Sequence, residues 1–280
     1  MKMKPALEGR RILITGIANE QSLALAVAER LQAEGAELVC AGLGWTRHNS
    51  VLSKSATGFL EASQAAFQEA VWNRLGEHTP IVIFDASLDE SLKDAANELS
   101  DSRLQLDGVL HAIALDRTIR GGDVKPLLDV TRDEFLGCMS ISAYSLIGLL
   151  RALTEGGLLN RSASVVSLSY LGAERITRHP YRNIGVAKAA LERITKELAF
   201  ELGHAHGIRV NAIRFSPYSE SRAGGAIPDL ERAVTIAAER APLGNATPRA
   251  LALEVAYLMR DDVMATGETR HVDGGFHMLA

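Results

Sequence analysis

The stretch Arg11-Ile-Leu-Ile-Thr-Gly16 is an apolar run that ends at a glycine. It leads into Ser22-Leu-Ala-Leu-Ala-Val-Ala-Glu-Arg-Leu31, where apolar residues recur at helical spacing. After Gly35 comes a second apolar run, Ala36-Glu-Leu-Val-Cys-Ala41. Strand, helix and strand thus follow one another within about 30 residues, the length of a βαβ unit. We therefore predict two parallel strands joined by a right-handed helical crossover.

The same alternation continues along the rest of the chain. Further strands are predicted over residues 81–85, 107–114, 162–169, 208–215 and 269–272, and helices over residues 60–75, 88–99, 131–155, 181–204 and 248–260. About seven strands alternating with helices is typical of an α/β protein whose doubly wound parallel sheet carries helices on both faces. Because no linker rich in Pro, Gly or Ser divides the chain, we predict a single Rossmann-like domain over residues 1–280.

Composition excludes several classes of protein. The chain is 47% hydrophobic and 23% charged, which provides a full core and excludes intrinsic disorder. Its 30 basic and 34 acidic residues give a net charge of −4, so nucleic acid is not an expected partner. Cys40 and Cys138 match no metal-ligand spacing, so neither a metal site nor a disulfide framework is expected. Without a targeting segment or an apolar run that spans a bilayer, a soluble, cytoplasmic protein is expected.

The turn after the first strand is the expected nucleotide site, because ligands of such sheets bind at the carboxyl ends of the strands. In this turn Gly16 follows the strand, and Ser22 occupies the N-cap position of the helix. The Gly-x-Gly-x-x-Gly fingerprint of dinucleotide-binding proteins is absent. A nucleotide site and an ordinary capped helix are therefore equally compatible with this loop alone.

Tyr181 and Lys188 form a second candidate site. Seven residues at about 100° per residue bring two helical side chains within about 20° of the same face. A tyrosine hydroxyl beside a fixed ammonium group is suited to donate a hydrogen bond to a carbonyl oxygen that becomes an oxyanion. The pair is thus a candidate for electrostatic catalysis, and an amphipathic helix with two surface residues is the alternative.

Seven segments, in order along the chain, resemble motifs of the FabI-type enoyl-acyl-carrier-protein reductases, a divergent branch of the short-chain dehydrogenase/reductase superfamily. The Tyr-x6-Lys spacing resembles that of these enzymes, whereas carbonyl reductases of the superfamily carry Tyr-x3-Lys. The resemblance covers residues 7–278. The matching segments are Gly16–Ala24, His111–Ala114, Ile141–Ser145, Ser169–Arg175, Tyr181–Lys188, Arg209–Ile213 and His271–Phe276.

The resemblance implies NADH-dependent reduction of the trans-2 double bond of an enoyl thioester in fatty-acid synthesis. Tyr181 would stabilise the enolate oxygen, Lys188 would hold the nicotinamide ribose and help stabilise the oxyanion, and Tyr170 would form a wall of the acyl pocket. The residues implied in cofactor binding are Gly16, Ser22, Leu23, Leu43, Asp85, Ala86, Ile113, Ala114, Lys188, Pro217, Tyr218 and Ser219.

The resemblance also implies partners. The substrate would arrive on acyl carrier protein, and the enzyme would be a homotetramer. Residues 218–243 correspond to the segment that covers the substrate in the family. Because acyl carrier proteins are acidic, Arg222, Arg232 and Arg240 in this segment are candidates for a docking patch, with scattered surface arginines as the alternative.

The chain departs from the family's pattern at several positions. Glu220 stands where the family has a threonine near the cofactor's pyrophosphate, and Ala114 stands where it has a glycine beside the nicotinamide. The region of residues 45–76 is longer than usual, and one extra residue separates the two tyrosines of the site. These departures leave two alternatives open, a reductase diverted to another activated alkene or ketone, and a non-catalytic NAD(P)-binding sensor or scaffold.

The choice of cofactor is also open at the sequence level. An acidic residue after the second strand favours NAD, and an arginine there favours NADP. Residues 42–44 are neutral, and Arg47 lies further along. NADH is therefore expected, with NADPH as the alternative.

Overall fold

The first apolar run forms an inner strand of a parallel sheet. The computed structural model describes residues 5–49 and 52–279. Among these, the strands are β1 (Arg11–Thr15), β2 (Glu37–Gly42), β3 (Ile81–Ile83), β4 (Leu106–His111), β5 (Ile119–Arg120), β6 (Asp123–Val124), β7 (Leu159–Tyr170), β8 (Arg209–Phe215) and β9 (Thr269–Val272). Strands β5 and β6 form a separate antiparallel hairpin. The other seven form one sheet in the order β3-β2-β1-β4-β7-β8-β9, with every neighbouring pair parallel.

Helices cover both faces of this sheet. The helices are α1 (Leu23–Ala33), α2 (Lys54–Leu75), α3 (Asp89–Asp101), α4 (Arg132–Met139), α5 (Ser145–Glu155), α6 (Arg182–His206), α7 (Arg222–Gly225), α8 (Leu230–Arg240) and α9 (Pro248–Leu258). Buried residues of α1, α2 and α9 share one core cluster with the sheet, and those of α3, α5 and α6 share another. The predicted doubly wound α/β sheet of about seven strands is therefore confirmed.

Several predicted boundaries were wrong for local physical reasons. Helix α2 begins at Lys54 rather than at residue 60, because Ser53 caps it by accepting a hydrogen bond from the Ala56 N–H at 3.2 Å. The helix predicted over residues 131–155 is interrupted by one turn of π-helix at Ser140–Tyr144. The hairpin of β5 and β6 was not predicted, and two helices, α7 and α8, lie in the segment that was expected to be irregular.

The segment Arg132–Glu155 is long and apolar enough to cross a membrane by length and composition. However, 56% of its apolar window is buried inside the protein. The buried side chains of α5 pack beside the sheet in the core cluster of α3 and α6. This burial is what a core helix requires, so the apolar character of the segment is explained by packing.

A buried ion pair ties α6 to the sheet. Arg214 of β8 approaches both carboxyl oxygens of Glu192, at 2.8 Å from Nε and 2.6 Å from Nη2. The two side chains are only 9% and 10% exposed. Ser169 of β7 donates a hydrogen bond of 2.6 Å to the same carboxylate, and Glu174 also pairs with Arg214. Because the charges satisfy one another, the pair holds α6, and with it Lys188, against β7 and β8.

We expect Arg214→Leu to lower the free energy of unfolding by about 3–5 kcal/mol, because it leaves Glu192 buried without its counter-charge. The matched control is Arg193→Leu on the same helix, which breaks an exposed pair with Glu197 and should cost less than about 1 kcal/mol. Urea unfolding followed by circular dichroism measures both. Equal losses in the two variants would contradict the role assigned to the buried pair.

Candidate active site

Gly16 brings the loop after β1 against the exit of β4. Its φ of +85° lies in the left-handed region that favours glycine. A Cβ added to Gly16 would also overlap the carbonyl oxygen of Ala112. Both features lie between β1 and β4. At this point the order in which successive strands are added to the sheet reverses, and ligands of such folds bind there. Glycine is therefore required at position 16 both by the backbone conformation of the turn and by the contact with the exit of β4.

Ser22 lies at the N-cap position of α1, but its side chain does not cap the helix. Instead its Oγ accepts hydrogen bonds from the backbone N–H groups of Ala18, at 2.9 Å, and Asn19, at 3.1 Å. The serine therefore closes the loop on itself. The first turn of α1 is thus left without a side-chain cap, and the helix dipole favours an anionic group at this end of the helix. Leu23, the next residue, packs against the core.

Asp85 and Ala86 follow β3 at one edge of the sheet. The Asp85 carboxylate accepts hydrogen bonds from the Ser87 N–H at 2.9 Å and from the Asn49 amide at 3.2 Å. Ala86 and Leu43 are half-buried. These residues lie beyond the ends of neighbouring strands β2 and β3, so the structure brings this part of the predicted cofactor site together at one edge.

Arg47 does not lie free to receive a phosphate. Its guanidinium pairs with Asp94 at 2.5 Å. Hydrogen bonds from His48 and Arg47 hold the pKa of Asp94 below its ordinary value. A cavity of about 600 Å³ beside this pair is also lined by Glu98 and Asp101. Arg47 is therefore already paired, and the acidic groups around it would repel a phosphate beside them, which agrees with NADH as the cofactor.

The loop after β8 holds Pro217, Tyr218 and Ser219. The Tyr218 hydroxyl lies 3.3 Å from the carbonyl oxygen of Gln21 in the first loop, and 3.3 Å from a carboxyl oxygen of Glu220. Glu220 itself is exposed. Tyr218 thus connects the two loops expected around the pyrophosphate, and Glu220 has both solvent and a hydroxyl partner for its charge.

The exit of β4 is held by the π-helical turn. Ser142 Oγ accepts a hydrogen bond of 2.9 Å from the Leu115 N–H and lies 3.0 Å from the Leu115 carbonyl oxygen, to which it donates. Ile113 packs against the core cluster of α3 and α6, whereas Ala114 packs with Tyr181 against the cluster around Cys138. The sequence analysis matched Ile141–Ser145 to the family but assigned Ser142 no role, because apolar periodicity carries no signal for a single π-helical turn. Such turns occur frequently at functional sites.

Tyr181 and Tyr170 lie together. Their ring centroids are 4.9 Å apart at an interplanar angle of 73°. The ring of His179 lies 5.4 Å from that of Tyr170 and 6.1 Å from that of Tyr181. Burial, and then the neighbouring Tyr170, raise the pKa of Tyr181 above its ordinary range, so its hydroxyl keeps its proton at neutral pH. Tyr181 is therefore a hydrogen-bond donor in this site.

Tyr181 is the N-cap residue of α6 and not a residue of its first turn, as the predicted helix had it. Its carbonyl oxygen nevertheless accepts the first helical hydrogen bond, from the Gly185 N–H at 2.6 Å. Two glycines make room for its ring. A Cβ at Gly172 would overlap the ring at Cδ1, and a Cβ at Gly185 would lie 3.3 Å from the same atom. The sequence analysis gave these glycines no role, because the Tyr181 ring comes close to them only in the folded chain.

Lys188 is buried, with a relative exposure of 5%. Its Nζ donates a hydrogen bond of 2.8 Å to the carbonyl oxygen of Leu168 on β7. Burial lowers the pKa of Lys188 to about 8, against the opposing effects of Cys138 and Glu192. At neutral pH the group is therefore mostly a fixed cation in a low-dielectric region, where a charge acts strongly on a developing oxyanion. The site combines this cation with a protonated tyrosine hydroxyl.

One group of potential metal ligands occurs in the described part of the chain, formed by His271, Asp273 and His277. Its geometry is that of a hydrogen-bonded cluster. His277 Nδ1 lies 2.8 Å from Asp273 Oδ1, and the Arg214 guanidinium lies 3.4 Å from His271 Nε2. Because the Arg214 guanidinium donates to Nε2 of His271, the ring proton of His271 lies on Nδ1. Nδ1 is the atom that would have to bind the metal, and a protonated nitrogen cannot do so.

Comparisons with known proteins show what this chain is similar to. The sequence model of the family described as Enoyl-(Acyl carrier protein) reductase matches residues 16–277. The enoyl-acyl-carrier-protein reductase (NADH) FabI of Bacillus cereus is 33% identical over 98% of each chain. That of Aquifex aeolicus is 34% identical over 98% of this chain and 93% of its own. The crystal structure of the FabI–NADH complex from Alistipes finegoldii superposes with a TM-score of 0.83 at 27% identity, over 98% of this chain and 90% of its own.

We expect Gly172→Ala to lower kcat about 100-fold, because the added methyl group displaces the Tyr181 ring. The control is Gly58→Ala on α2, where a Cβ meets no atom of the described residues within 4 Å. Steady-state turnover is the measurement, with NADH fluorescence titration to show that cofactor binding persists. Unchanged turnover in Gly172→Ala would contradict the role assigned to Gly172, which is to leave room for the Tyr181 ring.

Proposed function

The chain belongs to the enoyl-(acyl carrier protein) reductase family, and we propose that it reduces the trans-2 double bond of an enoyl thioester with NADH, in fatty-acid synthesis. The observation that carries this proposal is that Tyr181 and Lys188 both lie at the end of β7, where the Tyr181 ring packs against Tyr170 and the Lys188 Nζ donates to the Leu168 carbonyl oxygen. Both groups act on negative charge at an oxygen. Neither is suited to extract a proton at neutral pH.

The crevice fits NADH. Only glycine is accommodated at position 16, and α1 presents a first turn that Ser22 does not cap, both of which suit a pyrophosphate. Pro217, Tyr218 and Ser219 would close over the same groups, Leu43, Asp85 and Ala86 would meet the adenosine, and Ile113 and Ala114 would line the nicotinamide ribose. Lys188 would bind the ribose hydroxyls. When bound, NADH supplies the hydride that reduces the β-carbon of the substrate.

Tyr181 acts on the thioester carbonyl oxygen. As the β-carbon is reduced, negative charge moves to this oxygen and the substrate becomes an enolate, which the Tyr181 hydroxyl stabilises by donating a hydrogen bond. The positive charge of Lys188 stabilises the same oxyanion. It lowers the pKa of the corresponding enol, so that the enolate form persists. A proton from solvent water, added to the α-carbon of the enolate, then completes the saturated thioester. Tyr170, beside Tyr181, forms a wall of the acyl pocket.

Residues 218–243 are proposed to cover the substrate. They contain α7 and α8, and their arginines Arg222, Arg232 and Arg240 are exposed. Arg222 lies over the ring of Phe59 on α2, with 5.0 Å from its Cζ to the ring centroid. This contact fixes one cation on the surface beside the segment. An acidic acyl carrier protein is the partner that such cations suit.

Assembly and location extend the proposal. Several large apolar side chains, among them Leu128 and Phe200, are exposed on this single chain. Large apolar side chains exposed on a single chain can mark a surface that a partner covers. We propose that copies of the chain cover it in a homotetramer, and that the enzyme works in the cytoplasm, where acyl thioesters are made.

A second candidate is a reductase of the same family diverted to another activated alkene or a ketone. The methyl group of Ala114, which packs in the same cluster as Tyr181, favours it by narrowing the site. A non-catalytic sensor would have no use for a fixed hydroxyl and cation aimed at an oxyanion. Turnover separates these candidates.

Purified protein should oxidise NADH in the presence of a trans-2-enoyl thioester and not with a 3-keto thioester. Tyr181→Phe should reduce this turnover by about 10²- to 10³-fold, because it removes one oxyanion donor, while NADH binding remains. Tyr257→Phe, on the exposed side of α9, is the matched control. Turnover of the keto substrate would indicate the diverted enzyme, and NADH binding without any turnover would indicate the sensor.

The pH profile should identify Lys188. Its charged form predominates below its pKa of about 8 and is lost as the pH rises through that value. Since the pKa of Tyr181 is raised above its ordinary range, the alkaline fall in kcat/KM near pH 8 belongs to the lysine. Lys188→Arg, which stays charged, should lower activity but remove this fall. An unchanged alkaline limb in that variant would assign it to another group.

A further inference from the structure

Asp116 and Asn183 form a buried polar pair beside the catalytic tyrosine. Asp116 lies in the loop after β4, and Asn183 lies in the first turn of α6. Asp116 Oδ1 accepts hydrogen bonds from the Thr118 N–H at 2.9 Å and from the Thr118 hydroxyl at 2.7 Å. It also accepts one from the Asn183 side-chain amide at 3.3 Å. One carboxyl oxygen thus performs the whole structural task of joining the loop to the helix.

The second oxygen of each side chain is left for another partner. Asp116 Oδ2 and Asn183 Oδ1 are both buried and have no hydrogen-bond partner among residues 5–49 and 52–279. The residues are 7% and 1% exposed. Because the Asn183 amide N–H₂ faces Asp116, the free atom of Asn183 is its carbonyl oxygen, an acceptor. Buried acceptors without donors are costly, so we expect a donor from outside the described residues, a water molecule or a ligand group, to satisfy them.

The pair lies near Tyr181, the residue proposed to receive the thioester oxygen. Asn183 is two residues from Tyr181, and the charge of Asp116 contributes to the raised pKa of Tyr181. Ala114, two residues before Asp116, packs in the same cluster as Tyr181. Both acceptors therefore belong to the surroundings of the group that receives the thioester oxygen, and not to a remote part of the core.

We propose that Asp116 and Asn183 bind a hydrogen-bond donor, an N–H or O–H group, that the thioester substrate carries within a few bonds of its carbonyl carbon. The inference rests on the proposed function and extends it to substrate selectivity. Two sources carry this chemistry. One is the amide N–H of the pantetheine arm next to the sulfur, which carrier-protein and coenzyme A thioesters share. The other is a hydroxyl group on the acyl chain near the double bond.

The physical basis of selectivity is the unpaired acceptor itself. A site built around buried polar groups discriminates strongly against an analogue without the matching donor, because the polar groups are then desolvated and unpaired. An apolar site gives no such discrimination. The pair should therefore affect kcat/KM of substrates with the donor far more than that of substrates without it.

The first test uses the wild-type protein and three trans-2-enoyl thioesters of equal acyl length. One is made with N-acetylcysteamine, which retains the amide N–H, one with an alkanethiol that lacks it, and one with the same alkanethiol but a 4-hydroxy acyl chain. If the pantetheine amide is the donor, kcat/KM should fall about 10- to 100-fold on its removal. If the acyl hydroxyl is the donor, the third substrate should exceed the second by a similar factor. Equal values for all three would overturn the proposal.

The second test compares Asp116→Asn and Asn183→Leu with the control Asp129→Asn, an exposed carboxylate before α4. The discrimination measured in the wild type should fall to within about threefold in the first two variants and persist in the control. Thermal unfolding and NADH titration show that the variants are folded. Full discrimination in both would overturn the assignment. Absence of turnover by the wild type on every thioester would instead overturn the proposed function, and the inference with it.

Discussion

The site depends on one buried ammonium group. Lys188 is almost completely removed from solvent, and an uncompensated charge in that position would be strongly destabilising. A backbone carbonyl on β7 accepts its hydrogen bond, and Glu192, four residues further along the same helix, supplies negative charge. Glu192 is in turn held by Arg214 and Ser169. Helix α6 is thereby locked against β7 and β8, so the cation is held beside β7 with little freedom to move.

Tyr181 is positioned by different forces. It stands just before α6, so its backbone is not constrained by helical geometry, and its ring is placed by what surrounds it. Gly172 and Gly185 allow the ring to approach the backbone, and Tyr170 and His179 pack against it. Burial keeps the hydroxyl protonated. A hydroxyl donor and a cation that are both held in place suit electrostatic catalysis, since neither group has to reorganise as charge develops.

The cofactor half of the crevice is organised by contacts between loops. Gly16 lets the first loop reach the exit of β4, Ser22 closes that loop, and Tyr218 joins it to the loop after β8. Ser142 holds the exit of β4 from the other side. These contacts come from four separate segments of the chain. They bring together the loops that follow β1, β4 and β8, next to the N-terminus of α1 and the positive end of its dipole.

The sequence by itself determined the parallel sheet of about seven strands and its alternation with helices along the chain. It also located the glycine of the first loop and the Tyr181–Lys188 pair. Apolar periodicity reports which face of a segment is buried, and Gly16 and the Tyr181–Lys188 spacing are local features that survive in any packing. Tertiary structure alone decided that Ser22 folds back instead of capping, that a π-helical turn supplies Ser142, and that Gly172 receives the tyrosine ring. It also paired Asp116 with Asn183, which are 67 residues apart. Such contacts depend on how segments that are distant in sequence pack together, and a local sequence pattern does not indicate which distant segment will lie beside it.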